Sequence, residues 1–373
     1  MKYIDEFRRR DLAQQISSAI KKTADPEKHY HLMEFCGGHT HAIFRYGVQK
    51  LIPDNVSYIH GPGCPVCVLP VGRIDNALQL VNEYDVTLCT YGDLMRVPAS
   101  GLNSLLRAKA RGADIRMVYS AMDALNIARE NPAKEVIFFA IGFETTTPPT
   151  ALIIKQAQAE QIKNFTVFCN HVLTPPAMHS ILGEPENSGQ DRIIIDGFLG
   201  PSHVSTIIGS RPYEVFAEQF YKPIVIAGFE PLDVMQASLM LILQINEGRH
   251  EVENEYTRAV SRNGNQKAQA LVAEVLELRS EFEWRGLGMV PESALKIRFE
   301  YAEFDAEKRF NIPPVQASDV KGCECPQILR GVKKPTDCQL FGTVCTPENP
   351  MGACMVSSEG ACAAYWTYGR LSQ

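Results

Sequence analysis

From about residue 30 to residue 245 the chain repeats one pattern: a short apolar run, a glycine-containing loop, then a segment with helical spacing. The runs that read as strands are His31–Phe35, Val56–His60, Val86–Cys89, Asp114–Val118, Val136–Ile141, Thr166–Cys169, Arg192–Ile195 and Ile224–Ala227. Helical spacing covers Asp75–Glu83, Gly101–Ala110, Met122–Glu130, Thr150–Glu160 and Tyr213–Phe220. Strands that alternate with helices are joined by crossovers, which give parallel sheets covered on both faces. About eight strands fit two sheets better than one. The pattern therefore predicts an α/β chain with two consecutive doubly wound, Rossmann-like parallel-sheet domains over 30–130 and 131–240, parted near residues 129–134. A short echo between Ile141-Gly-Phe-Glu144 and Ala227-Gly-Phe-Glu230 supports two related halves. Beyond them, Leu232–Glu247 and Gln266–Arg279 read as helices. Residues 241–373 form a third, mainly helical and irregular domain, with a helix from 1–25 packed on it.

The chain's 373 residues are 45% apolar, with a net charge of −6, so a large core is available and disorder is excluded. The acidic balance argues against nucleic acid as a partner. The first thirty residues are charged and lack an apolar core, and no apolar run approaches the ~20 residues of a membrane span. These features predict a cytoplasmic protein without membrane contact. Eleven cysteines are then anomalous. Cytosolic thiols stay reduced, which points to metal or redox chemistry rather than to a disulfide framework.

The unusual loops all follow predicted strands, where open α/β sheets bind ligands. One edge would thus gather Cys36, His39, Cys64, Cys67, Asp93, Glu144 and His203. In Cys36-Gly-Gly-His-Thr40 the two glycines permit a tight turn, and the following helix N-terminus would lower the thiol pKa. That thiolate suits either a soft or borderline metal or a nucleophilic role; the alternative is a buried cysteine ending a strand. Cys64-Pro-Val-Cys67 can close a redox disulfide or supply half a zinc site. Cys89 and Cys169 end apolar strands and read as buried bystanders. Glu144 is either a functional carboxylate or a helix-start residue.

The other six cysteines, Cys323, Cys325, Cys338, Cys345, Cys354 and Cys362, crowd into forty residues rich in proline and glycine. Such a tail buries too little alone and needs a metal to fold. Four thiolates complete an iron–sulfur cluster; a four-thiolate zinc site is the alternative but favours two close pairs. Two thiols are left over, enough for a dithiol beside a cluster. The common phosphate-loop, dinucleotide, nucleophile-elbow and HExxH patterns are missing.

Five long motifs carry a resemblance: Cys36-Gly-Gly-His-Thr-His-Ala-Ile-Phe44, Ile59-His-Gly-Pro-Gly-Cys-Pro-Val-Cys-Val-Leu-Pro70, Gly142-Phe-Glu-Thr-Thr-Thr-Pro-Pro149, Gly200-Pro-Ser-His-Val204 and Cys345-Thr-Pro…Cys354-Met-Val-Ser-Ser-Glu-Gly-Ala-Cys362. Over essentially its whole length the chain resembles the HypD family of hydrogenase maturation factors. The resemblance implies a metal-centre assembly scaffold with redox chemistry rather than a conventional turnover enzyme. On it the transient Fe(CN)2CO iron of nickel–iron hydrogenases is built, in a stable complex with a HypC-type small chaperone. Cyanide arrives from a transient HypE-type donor, which works with a HypF-type carbamoyltransferase. By the same resemblance Cys36 binds the iron with a HypC cysteine, and Cys64 and Cys67 are a redox dithiol. Cys323, Cys338, Cys345 and Cys362 match the ligands of a 4Fe-4S cluster, which leaves Cys325 and Cys354 as a second dithiol. His39 orients or protonates near the iron, with Asp93, Glu144 and His203 as polar neighbours. A competing reading is a cluster-dependent thiol–disulfide oxidoreductase acting on a protein disulfide. A third is an interaction protein with a zinc-stabilised tail.

Overall fold

A computed structural model describes residues 5–183 and 193–369. Nine of its strands build two parallel sheets: β1 Tyr30–Glu34, β2 Val56–His60, β3 Val86–Thr90, β4 Ile115–Met117, β5 Glu135–Gly142, β6 Phe165–His171, β7 Gly197–Pro201, β8 Ile224–Ala227 and β9 Val252–Asn254. The larger sheet has the order β2-β1-β7-β8-β9 and the smaller one β4-β3-β5-β6. Every neighbouring pair within them is parallel. Strand positions follow the alternating pattern, because that pattern is local. Membership of a sheet does not. The sequence predicts two sheets in succession, whereas the smaller sheet is inserted whole between β2 and β7 of the larger. The segment 129–134 consequently links a helix to β5 inside one sheet. Strand partners are chosen by packing between distant segments, which periodicity does not encode.

One strand lies outside its predicted position. Residues 193–196 of the apolar run Arg192–Ile195 and its flank are not a strand, and Arg192 lies outside the described residues. The strand is instead Gly197-Phe-Leu-Gly-Pro201, whose glycines and proline read as a loop. Gly200 is bare because a Cβ there would lie 2.6 Å from the end of the Ile226 side chain on β8.

The interior strands of the smaller sheet are buried on both faces, so β5 reads as the unbroken run Val136-Ile-Phe-Phe-Ala-Ile141. Its covering helix Ala121–Glu130 starts on a Ser120/Asp123 capping box. The long helix Pro231–Glu247 is entered through proline and a Glu230/Asp233 capping box, and it ends at Gly248 in the left-handed region. On it lies the helix Arg10–Thr23, whose Ile20 joins Tyr30, Leu32 and Ile242 in the core of the larger sheet.

After residue 275 the chain is less helical than predicted. The helix stops at Val275, and Leu276–Leu278 becomes β10, paired antiparallel with β13 at Leu295–Ile297. Between them β11, Glu281–Trp284, and β12, Gly288–Pro291, form a hairpin. Leu276 pairs with Ile297 and is buried, whereas Leu278 is exposed, so the heptad-like spacing of Leu271, Val275 and Leu278 is coincidental. The cysteine-rich tail shares a core with both sheets: Cys325, Ile328, Cys354 and Met355 belong to one cluster with Val68, Phe143 and Trp284. Among the described residues no helix is long and apolar enough to cross a membrane.

Phe139 of β5 is fully buried and meets Phe168 of β6 edge-on at 5.1 Å. Its replacement by alanine is expected to cost ~3–5 kcal/mol. Urea unfolding measures this, and a loss below about 1 kcal/mol would contradict the packing described.

Candidate functional site

Each parallel sheet has one point where its strand order reverses: between β3 and β5 in the smaller sheet, and between β1 and β7 in the larger. Connections leave in opposite directions there, which opens a crevice beyond the carboxyl ends of the strands. Both reversals face one cleft of about 450 Å³. Cys36 enters it after β1, Asp93 after β3, Gly142 at the end of β5 with Thr146 following, and His203 after β7. The tail closes the far side with Ser357, Ser358 and Glu359.

Cys36 caps the helix Gly37–Arg45 in extended backbone. Its N–H donates to Glu34 Oε2 at 3.0 Å. Glu34 is fully buried, takes a second hydrogen bond from Thr40 Oγ1 and meets His60 Nδ1 at 2.8 Å. Gly37 and Gly38 are already helical, so they are not needed for a turn. They are glycine because of what packs on them. A Cβ on Gly37 would lie 2.3 Å from the Glu359 Cβ, and one on Gly38 would lie 2.4 Å from the Phe229 ring.

The electrostatics at Cys36 also differ from expectation. Burial pushes the thiol well above its ordinary value, and the charges of Glu359 and Glu34 push it further, against the pull of the Gly38 amide. A helix N-terminus alone does not overcome desolvation and two carboxylates. A buried sulfur between carboxylates is a poor free thiolate and a good cation ligand, because a bound cation reverses the repulsion.

Beneath Cys36 lies the loop that carries the CPVC pair. The Gly37 N–H donates to Gly63 O at 3.1 Å, and a Cβ on Gly63 would fall 2.5 Å from the backbone of Cys36. Cys64 caps the short helix Pro65–Val68 and is joined to Cys67 by a disulfide, both residues being buried. Cys67 Sγ is 3.8 Å from Ala353 O, one residue before Cys354. Cys354 Sγ in turn lies 2.6 Å from Cys325 Sγ. Hydrogen bonds between thiols extend this contact to Cys323 on one side and Cys362 on the other. Cys345 receives the Met351 N–H at 3.3 Å, and Cys338 is buried 3.9 Å from Gly322 O. The Cys325 thiol is drawn down by the bond with Cys323, but the bond with Cys354 and burial carry it well above its ordinary value.

Among the described residues no three His, Cys, Asp or Glu side chains stand as a preformed metal site. The donor chemistry of the tail nevertheless fits a four-thiolate group. Six thiols converge, five of them buried, and Arg285, a buried cation whose guanidinium nitrogens lack hydrogen-bond partners, acts on Cys325.

The remaining candidates divide. Asp93 and His203 line the cleft, and the His203 ring centre is 4.1 Å from that of Phe229. His39 does not line it. His39 is buried, its Nε2 is 2.9 Å from Ala227 O, and its Nδ1 has no partner. Burial lowers its pKa, so the ring is neutral. Glu144 turns inward, accepting from Thr174 N at 2.8 Å and from Thr174 Oγ1 at 3.1 Å. Cys89 and Cys169 are buried within the smaller sheet. Sequence reasoning missed Glu34, Glu359 and Arg285. Glu34 left a trace, a lone charge in the apolar strand His31-Leu-Met-Glu-Phe35. Glu359 and Arg285 left none, since only the folded tail brings them to the sulfurs.

The fold and cleft together define a thiol-rich α/β protein built around two facing switch points. The sequence model of the HypD family, described as "Hydrogenase formation hypA family", matches residues 11–369. The hydrogenase maturation factor HypD of Cupriavidus necator is 66% identical over 370 residues, covering 99% of this chain and 98% of that protein. HypD2 of Bradyrhizobium diazoefficiens is 65% identical over 370 residues, with 99% and 97% covered. HypD of Escherichia coli K12 is 46% identical over 373 residues, with 99% and 98% covered. The chain belongs to the HypD family of hydrogenase maturation factors.

Two expectations follow. Burial pushes the Glu144 carboxyl up to about 7, against the hydrogen bonds from Thr174. The folded state then holds this proton more tightly than the unfolded state, so stability falls as pH rises from about 4.5 to about 7 and is level above. The full effect is ~3 kcal/mol, and Glu144→Gln should remove it. Urea unfolding of both proteins at about pH 5 and about pH 8 checks this; an unchanged pH dependence would contradict it. For Cys36, replacing Glu359 with glutamine removes one of the two opposing charges. Alkylation of Cys36 by iodoacetamide at neutral pH should then be about three- to tenfold faster. A rate equal to that of the parent would separate Glu359 from the thiol.

Proposed function

We propose that this chain is the scaffold on which the iron centre of nickel–iron hydrogenases is assembled. In complex with a HypC-type small chaperone, the Cys36 thiolate and a thiolate of that partner hold the iron on which Fe(CN)2CO is built. A HypE-type protein delivers cyanide transiently. The observation that carries this reading is the position of Cys36: a buried thiol between Glu34 and Glu359, at the meeting of two switch points. That environment suits a thiol that waits for a cation. The cytoplasm, where thiols stay reduced, is the compartment in which such a site works.

Iron is the substrate here. As the cation approaches, Cys36 loses its proton, because metal ligation requires the thiolate. Glu359, raised by burial and by the charges of Asp93 and Glu34, is placed to accept that proton. Glu34 fixes the Cys36 amide, and neutral His39 braces the following helix against Ala227. Asp93 and His203 supply polar contacts on the open side of the cleft, while Glu144 holds the loop after β5 in place through Thr174.

Below the cleft two dithiols stand in series, Cys64–Cys67 and Cys325/Cys354, separated by Ala353. Thiol–disulfide exchange between them moves two electrons and two protons toward Cys36. Cys323, Cys338, Cys345 and Cys362 are the thiols that would hold a 4Fe-4S cluster, which when bound supplies single electrons beside the second dithiol.

The test is infrared spectroscopy of the complex with the HypC-type partner, purified without oxygen. Bands of iron-bound cyanide and CO are expected from the parent. Cys36→Ala should lose them and keep the brown cluster absorbance. Persistence of the bands in Cys36→Ala would refute the iron site, and a colourless zinc protein would refute both redox roles.

A further inference from the structure

Arg285 follows β11 and is only 4% exposed, with its guanidinium inside the molecule. Two contacts fix its position. Its own N–H donates to Val68 O at 2.7 Å, tying it to the short helix that carries Cys67. The next residue, Gly286, has a φ of +88°, and a Cβ there would lie 2.7 Å from Pro326 O and 3.1 Å from Pro326 Cα. Any side chain at 286 would push this turn off the start of the helix Cys325–Leu329. Arg285 is thus held between the Cys64–Cys67 disulfide and the tail sulfurs.

Its charge has a carboxylate nearby, but its N–H groups have no hydrogen-bond partner. Asp319 Oδ1 lies 3.1 Å from Nε, close enough for an ion pair but not aligned for a hydrogen bond. Nη1 and Nη2 have no partner at all. Glu283 is the other carboxylate in its field, and Cys325 is the sulfur that feels its charge. A guanidinium carries five N–H donors and stays charged inside proteins. Leaving the donors of a buried cation free is unfavourable, so an acceptor besides Asp319 is implied.

We propose that Arg285 is the counter-cation of the tail sulfur site, a positioning residue whose free N–H groups engage anionic sulfur at Cys325, either in a loaded thiolate group or in the reduced dithiol. This rests on the proposed thiolate role of the tail. A positive charge beside sulfur favours the more negative, reduced state of whichever sulfur group is present.

Two readouts test it, neither of them maturation activity. In cluster-free protein, the Cys325–Cys354 disulfide is equilibrated with dithiothreitol: the dithiol becomes its cyclic disulfide and the protein gains two thiols. The fraction reduced is read by alkylation and mass spectrometry. Arg285→Gln should demand about tenfold more reductant, equivalent to about 30 mV for this two-electron couple. In loaded protein, the cluster potential followed by electron paramagnetic resonance should move about tenfold in the same direction, about 59 mV for one electron. Arg285→Lys, which keeps the charge and loses the fork, should restore part of both shifts. Should Arg285→Gln fail to fold, Asp319→Asn carries the test: freeing the cation from its carboxylate should shift both equilibria the opposite way. Unchanged potentials in a folded Arg285→Gln protein, or in Asp319→Asn, would overturn the proposal. A dithiol shift in a chain that never binds a cluster would refute the cluster and leave Arg285 as the counter-cation.

Discussion

Gly63 rests its bare α-carbon against the backbone of Cys36, and its carbonyl accepts the Gly37 N–H. The rest of the site depends on that contact. It brings the loop after β2 under the loop after β1, seats the Pro65–Val68 helix and so places the Cys64–Cys67 disulfide below the Cys36 thiol. It also sets how closely the tail can approach, because the tail packs on that same short helix. A side chain at 63 would collide with the Cys36 backbone and force these layers apart. The CPVC loop is therefore held by backbone geometry, which does not change when a sulfur changes its redox state.

The tail in turn is not an appendage. Gly331 presses against Ile59 of β2, with a Cβ there falling 2.4 Å from the Ile59 side chain. Arg96, in the turn after β3, donates to Val356 O at 2.7 Å and to Pro347 O at 3.0 Å. These anchors grip the tail on both sides of the Cys354 turn and deliver Glu359 to the cleft. The Cys354–Cys362 segment thus does two kinds of work, with sulfurs at its termini and a carboxylate beside Cys36 between them. A few residues of chain join these sulfurs to the carboxylate that packs beside the Cys36 loop.

Several buried charges elsewhere among the described residues are balanced. Glu34 is satisfied by Thr40, His60 and the Cys36 amide. Glu307 accepts from Arg279 at 2.9 and 3.0 Å and pairs with Arg73, beside the edge of β6. Two places that lie at sulfur are not balanced in this way. Cys36 sits between carboxylates with no cation, and Arg285 sits beside Cys325 with no anion fully engaging it. Fold stability alone would not select either arrangement, since each adds desolvation without compensation. Local imbalance of this kind marks positions shaped by chemistry rather than by packing. The two imbalances have opposite sign, as expected if one site receives a metal cation and the other holds negatively charged sulfur.

Much of this was open to inspection in the linear chain, because it depends on neighbours in sequence. The apolar runs and their glycine-containing loops located most of the strands, and apolar spacing located helices such as Met122–Glu130 and Leu232–Glu247 to within a residue of their starts. Cysteine spacing separated Cys36 and the CPVC pair from the six tail thiols, and the motifs around them carried the family. What lay beyond the sequence depends on partners far apart along the chain. β7 is a strand because Ile226 and Leu241 pack on its glycines, though composition reads it as a loop. Gly37 and Gly38 are small because of Glu359 and Phe229, not because of a turn. The nesting of one sheet inside the other was decided by strand pairing, and the place of Glu359 beside Cys36 and the free N–H groups of Arg285 only when the tail folded back. Sequence thus determined which segments are strands, helices and thiol loops, since backbone preference and periodicity act over a few residues. Tertiary structure alone decided which of those loops share a cleft and what charge each sulfur meets, since burial and electrostatics are sums over everything nearby in space.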